Sequence, residues 1–146
     1  MQKIIFLVKL DRLFIDTRKL SRVNLQALTG SRFINNNKFF VGTWNSGLLE
    51  FIGDSLVNHY NQDNSSLETI TDDGWIRIGG VDVDSNNALW MTNSQAEKPL
   101  VKFSNGVWES FSVPNLPTNI MAGKILCTSG DQKWIQLRND GLLVTK

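Results

Sequence analysis

Between Gly80 and Phe111 four short apolar segments, Val81 to Asp84, Ala88 to Thr92, Leu100 to Phe103 and Val107 to Phe111, alternate with polar punctuation at Asp84-Ser85-Asn86-Asn87 and Ser104-Asn105-Gly106. Asn, Asp and Gly accept left-handed backbone or cap it locally, so these clusters predict tight hairpin turns and the stretch predicts one four-stranded antiparallel sheet. The rest of the chain is arranged around this unit, because pieces of it recur on both sides.

The recurrence is a matter of spacing. Val81 precedes Trp90 by nine positions and Ile125 precedes Trp134 by nine, without a gap. Upstream, Ile34 to Phe40 matches Val83 to Trp90 with one residue deleted from the turn, which sets Phe40 in the place of the tryptophan. A third segment follows each aromatic: Phe40 to Leu48 and Trp134 to Leu142 are eight positions each, and Trp90 to Leu100 is ten. Leu56 to Tyr60 and Val107 to Phe111 supply a fourth segment, each ending on an aromatic. Four strands per unit at a repeat of 44 to 50 residues predicts β-propeller blades, in which each sheet buries its faces against its neighbours. A β-sandwich is the competitor, but it has no reason to repeat an aromatic at matched spacing. Phe40, Trp90 and Trp134 are therefore expected in the core.

The predicted fold class is all-β: a partial propeller of about three antiparallel blades, at residues 31–60, 76–112 and 120–146, too short to close a ring in one chain. Propellers need about 4 to 8 blades, so the expected complement is the rest of a longer propeller or self-association. The absence of a fourth strand after Val144 favours the former. Residues 1–30 form an N-terminal segment that can supply part of a preceding blade. Within it Ile4, Phe6, Val8 and Leu10 share one parity, and Leu13 to Ile15 follows an Asp11-Arg12 turn, which fits a hairpin. Thr17 to Leu28 is compatible with a short helix or a strand.

In an up-and-down meander the second-to-third turns and the inter-blade connections share one end. The long polar connections lie there, and such loops commonly host binding. The candidate binding residues are Trp44, Asn45, Asn61, Asp63, Asn64, Asn93, Gln95, Glu97 and Lys98. Trp44 and Trp75, at loop edges, can stack on a sugar ring or peptide or serve packing.

Charge and chemistry narrow the picture. The 15 Lys and Arg nearly balance 14 Asp and Glu, so no overall field recruits nucleic acid or an acidic membrane. Residues 1–30 are locally basic, with six basic side chains against two acidic ones. No run reaches the length of a membrane span, and the apolar start around Ile4 to Val8 is too short for a signal peptide. His59 is the single histidine, on a predicted outer strand, which rules out a multi-histidine metal centre and disfavours a catalytic triad. Cys127, the single cysteine, sits in an apolar strand as a structural thiol. Asp82-Val83-Asp84-Ser85-Asn86 opens like a calcium loop, but Asn87 replaces its glycine and Asn93 its closing glutamate. Ser129 to Trp134 shares the serine, acid and tryptophan of a sialidase Asp-box, yet lacks the glycine and is two residues short. No catalytic residue, metal or cofactor is expected, and the chain reads as a non-enzyme.

Asn37-Lys38-Phe39-Phe40-Val41-Gly42-Thr43-Trp44-Asn45-Ser46-Gly47-Leu48-Leu49 resembles the two-component regulator propeller repeat, with its D-x-x-G-x-L-W-[IV]-G-T-x-x-G-L pattern. Asp84 to Met91 is a second instance that departs at the glycine and at the Gly-Thr pair. Tyr60 to Leu67, Ile78 to Asp84, Leu89 to Ser94 and Lys98-Pro99-Leu100 are similar to the N-terminal propellers of PorZ-type proteins of the type IX secretion system in Bacteroidetes. The likeness covers about residues 31 to 146. It implies a non-enzymatic component at the cell surface or in the periplasm, in a system that attaches cargo to anionic lipopolysaccharide. The partners it implies are proteins or surface glycan, including lipopolysaccharide. A periplasmic ligand-sensing propeller of a hybrid two-component regulator is the alternative. The resemblance also leads one to expect an export signal and a C-terminal secretion domain, neither of which is recognisable in this sequence.

Overall fold

The computed structural model of the chain describes residues 7–10, 13–16, 28–35, 37–72, 74–117 and 119–146. Thirteen strands and no helix occur among them. β1 (Leu7–Leu10) and β2 (Leu13–Asp16) pair as the expected hairpin, with Leu10 opposite Leu13. Residues 17–27, where helix and strand were both open, lie outside the described residues, as do residues 1–6 and the Asp11-Arg12 turn.

Three antiparallel meanders follow. The first is β3 (Leu28–Phe33), β4 (Lys38–Thr43), β5 (Leu48–Ile52) and β6 (Ser55–Tyr60). The second is β7 (Ile78–Val83), β8 (Leu89–Asn93), β9 (Leu100–Ser104) and β10 (Val107–Phe111). The third has β11 (Ala122–Cys127), β12 (Lys133–Leu137) and β13 (Gly141–Thr145). The turns use the predicted chemistry: Asn87, Asn105 and Gly106 take φ of 60°, 51° and 79°.

One detail of the repeat differs from expectation. The turn before β4 is not a residue shorter than its counterpart, since Ile34 N–H closes on Lys38 just as Asp84 N–H closes on Ala88. Ile34 therefore occupies the place of Asp84, and Arg32 opposite Phe40 corresponds to Asp82 opposite Trp90. The polar cap has moved by one residue instead: Asn35 Oδ1 accepts from the Asn37 and Lys38 amides, whereas Asp84 Oδ1 accepts from those of Asn86 and Ala88.

The core lies between the sheets, as stacked blades require. Phe40 and Leu48 on the forward face of the first sheet pack with Val81, Leu89, Met91 and Val101 of the second. Ala88, Trp90 and Leu100 on the forward face of the second pack with Ile125, Ile135 and Leu137 of the third. Toward the rim, Tyr60 meets Phe103 and Trp108 edge-on or tilted, with ring centroids 5.4 and 5.1 Å away. The rear face of the first sheet, with Phe39, Val41, Leu49 and Phe51, is also buried.

Trp134 is a correction. It holds the position of Phe40 and Trp90, yet is 38% exposed, where they are 1% and 8%. The reason is geometric. Trp134 points from the forward face of the third sheet, beside Leu126, Leu142 and Val144, and no further sheet covers that face among the described residues.

A buried charge fastens the first sheet. The Glu50 carboxylate, on β5, receives Lys38 Nζ at 2.5 Å, Tyr60 Oη at 2.6 Å and Asn58 Nδ2 at 2.8 Å. Burial works against the charge, but the bonds from Lys38, Tyr60 and Asn58 outweigh it and hold the pKa below its ordinary 4.5. The carboxylate thus stabilises the fold fully above that ordinary value, and the contribution drains away as pH falls through the lowered folded value. Urea midpoints measured from about pH 7 down to pH 3 should decline, and Glu50→Gln should flatten the decline while costing about 2 kcal/mol at neutral pH.

Candidate functional site

β3, β7 and β11, the opening strands of the three sheets, run side by side, with β7 between the other two. Their approach depends on glycine. A Cβ on Gly79 would stand 2.1 Å from the Ala122 carbonyl oxygen, and one on Gly80 would stand 2.8 Å from Lys124 Cα. Thr92 Oγ1 donates to the Gly123 carbonyl at 2.7 Å and ties the second sheet to the third at the same level.

Two adjoining clefts open along these strands. The larger, of about 390 Å³, is lined by Thr29, Trp44, Gly79, Lys124, Gln136 and Arg138, among others. The smaller, of about 240 Å³, shares Thr29 and Lys124 and adds Arg32, Gly80 and Ile125. No acidic residue among those described lines either cleft. Arg32 is neutralised by Asp82, at 2.7 Å. Lys124, Arg138 and nearby Arg77 have no carboxylate partner among the described residues.

The Trp44 indole gathers two of these cations. Its ring centroid is 5.3 Å from Arg77 Cζ and 5.7 Å from Arg138 Cζ, within the range of cation–π attraction. Arg77 also lies over Trp75, at 5.7 Å, and donates from Nη1 to Gln95 Oε1. Gln95 Nε2 in turn donates to Asn119 Oδ1 at 3.1 Å. Arg77 Nε, Thr29 Oγ1 and Asn45 Oδ1 are buried atoms without a hydrogen-bond partner among the described residues. Such atoms are costly to leave unmade and mark a region where polar groups exceed what the fold consumes.

Of the nine candidate residues, Trp44, Asn45 and Gln95 belong to this region. Asn93 is wholly buried and clamps two connections together: its Oδ1 accepts from Glu68 N–H at 2.7 Å and its Nδ2 donates to Glu68 O at 3.2 Å. The amides of Glu97 and Lys98 donate to Glu68 Oε2, at 2.8 and 3.2 Å. Asn61, Asp63 and Asn64 bond among themselves and to the His59 carbonyl, shaping their own turn. These six hold the loops in place, with their contacts directed to Glu68 and His59 instead of Trp44.

Arg77, Lys124, Gln136, Arg138 and Thr29 were not among the expected residues. A signal for one of them was present. Four positions after Phe40, Trp90 and Trp134 come Trp44, Ser94 and Arg138, so the repeat itself sets Trp44 and Arg138 at matching places on different blades.

His59, Asp82 and Asp84, also singled out in the sequence, are occupied. His59 Nε2 lies 2.5 Å from the Ser46 carbonyl oxygen. Asp82 also accepts from the Cys127 amide at 2.7 Å, and Asp84 accepts from Trp90 Nε1 at 2.8 Å. Burial, aided by the Asp82 charge, pushes the Cys127 thiol up to about 12, so it stays protonated and unreactive at neutral pH.

No protein-family model matches the chain, and no curated protein sequence does. Among solved structures it is similar to PorZ, described as an essential bacterial surface component of the type IX secretion system of Porphyromonas gingivalis. The identity is 24% and the TM-score 0.69, over 81% of this chain and 17% of that one. It is also similar to the extracellular domain of a protein assigned as a hybrid two-component system in B. thetaiotaomicron, at 18% identity and a TM-score of 0.57, over 82% of this chain and 17% of that one. The chain thus spans about a sixth of the length of each. The partial β-propeller expected from the repeats is the fold of this chain, and both expected likenesses are found at the level of fold.

Proposed function

We propose that this chain is a non-enzymatic propeller segment acting in recognition or assembly in type IX protein secretion and in attachment of cargo to the cell surface. The observation that carries the reading is the likeness to PorZ, at a TM-score of 0.69 over 81% of the chain. The PorZ-like segments of the sequence support the same reading. The cell surface or periplasm is the compartment that goes with it. The engagement of His59, Asp82 and Asp84 by neighbouring groups, and the protonated state of Cys127, support a binding role over a catalytic one.

The forward face of the third sheet takes a further blade of a longer propeller. This continues the two interfaces already described, where each forward face is covered by the sheet that follows it. Self-association is the other occupant, and the mass of the chain in solution separates the two.

The test is deletion of the coding region in its source bacterium, followed by measurement of type IX cargo released and retained at the surface. Loss of surface-attached cargo is expected. Normal cargo with altered ligand-dependent transcription would instead favour the sensing propeller, which the second structural likeness supports.

A further inference from the structure

We infer that Trp44 and Trp75 form a stacking platform for a planar guanidinium group, and that the chain keeps it closed with its own Arg77, an autoinhibitory contact held in place by Gln95. Arg77 Cζ lies 5.3 Å from the Trp44 ring centroid and 5.7 Å from that of Trp75, so one guanidinium sits within reach of two indoles. Neither ring belongs to the cores between the sheets: Trp75 is 41% exposed and Trp44 is half-buried. The attraction of a cation for a ring face is modest at such exposed positions, which makes the contact one that a competitor can replace. An outside group then gains the rings only as Arg77 leaves them, and its apparent affinity falls by the fraction of molecules that are closed. The device serves the secretion and the sensing readings alike.

The repeat exposes the tether. Five positions after Phe40, Trp90 and Trp134 stand Asn45, Gln95 and Asn139. Gln95 and Asn139 share a left-handed backbone, with φ of 67° and 71°, which asparagine accepts more readily than glutamine. The second sheet thus keeps the less suited residue, and what it gains is one methylene of reach. Gln95 Oε1 accepts from Arg77 Nη1, while Nε2 donates to Asn119 Oδ1 at 3.1 Å. The backbone fixes both ends of this link: Gln95 N–H donates to the Ile120 carbonyl at 2.8 Å and Ser94 N–H to the Arg77 carbonyl at 2.7 Å. Strained backbone of this kind persists where the surrounding structure holds it, and here it aims the guanidinium at the indoles. Arg77 Nε, buried without a partner among the described residues, leaves part of the desolvation uncompensated and so favours release.

The test uses the full chain with its tryptophan indoles labelled with nitrogen-15, the Trp44 and Trp75 signals being assigned through Trp44→Phe and Trp75→Phe. Methylguanidinium chloride is the probe, and sodium chloride at equal ionic strength is the control. Arg77→Ala should bind methylguanidinium with saturable shifts at both indoles, at least about tenfold more tightly than the unaltered chain. Trp134, 38% exposed, serves as the comparison ring within the chain and should show no saturable shift. Gln95→Asn shortens the tether and relieves the backbone, so its thermal midpoint should hold or rise while its affinity for the probe falls between those of the other two chains. Should Arg77→Ala fail to fold, Gln95→Asn carries the same comparison. Equal affinity in all three chains, or a Trp134 response matching that of Trp44 and Trp75, would overturn the platform. A Gln95→Asn chain that loses stability while its Trp44 and Trp75 signals stay in place would overturn the tether, leaving the Gln95 amide as a structural tie.

Discussion

Gly79→Ala is expected to destabilise the chain by about 3 kcal/mol or more, enough to consume much of the roughly 5–15 kcal/mol that holds a domain of this size together. The new methyl carbon would sit 2.1 Å from the Ala122 carbonyl oxygen and 2.8 Å from Thr92 Oγ1. The first of these is backbone, so no rotamer change relieves it. β7 and β11 would have to part, and with them Ala122 and Ile125 would lose contact with Trp90 and Leu100. Gly30→Ala is the control, because its Cβ would meet Val81 Cγ2 at an ordinary 3.5 Å. That change should fall within about 1 kcal/mol of neutral, since alanine also lowers the entropy of the unfolded chain. Urea unfolding of the two variants measures the difference. Similar costs for both would mean that the opening strands of the second and third sheets do not approach this closely.

The strands were legible because each is short, bounded by Asn, Asp or Gly, and repeated at fixed spacing around an aromatic. What spacing could not convey was which side of an aromatic is covered. Phe40, Trp90 and Trp134 stand at one place in three sheets, but burial is decided by the neighbouring sheet, and only the first two have one in front of them among the described residues. The apparent one-residue deletion before Phe40 arose for a related reason. Aligning Asn35 with Asp84 matches two caps that each hold turn amides, while the bonds closing the hairpins match Ile34 with Asp84.

The site was legible in part. Long polar loops led to Trp44, which lines the larger cleft, and to Asn45 and Gln95 nearby, but equally to Asn61, Asn64 and Asn93, whose side chains are consumed in bracing the loops. Loop composition cannot tell a spent hydrogen-bonding group from a free one. Lys124 lies within a strand, and Arg77 and Arg138 lie next to strand ends, so a search confined to long loops passes over all three.

Alanine at Phe40 or Trp90 should cost about 3–5 kcal/mol, whereas alanine at Trp134 should cost about 1 kcal/mol or less. Phe40 is sealed between the first two sheets, so its removal leaves a cavity. Trp90 is sealed between the second and third and loses more than area. Lys133, itself buried, holds its Nζ 4.3 Å from the Trp90 ring centroid, and Asp84 accepts the indole N–H. The same bond, with the Ala88 and Asn86 amides, holds the Asp84 carboxyl below its ordinary range against the effect of burial. Deleting the indole therefore also removes a favourable partner from a charge. Trp90→Phe, which keeps a ring and drops only the N–H, should recover most but not all of the loss, leaving about 1–2 kcal/mol. Trp134 has neither the cover nor a charged acceptor, since its Nε1 reaches Gln132 Oε1 only at 3.3 Å. Trp44→Ala should leave the chain folded, because that ring serves the arginines beside it more than the packing between sheets. Equilibrium unfolding of the four alanine variants, each at two protein concentrations, separates burial within one chain from burial between chains. A Trp134 variant as damaging as Trp90→Ala, with a midpoint that rises with concentration, would show that a second copy seals the forward face of the third sheet. A concentration-independent midpoint and a small Trp134 cost are the results expected of an open wedge whose stability comes from the two interfaces it already contains.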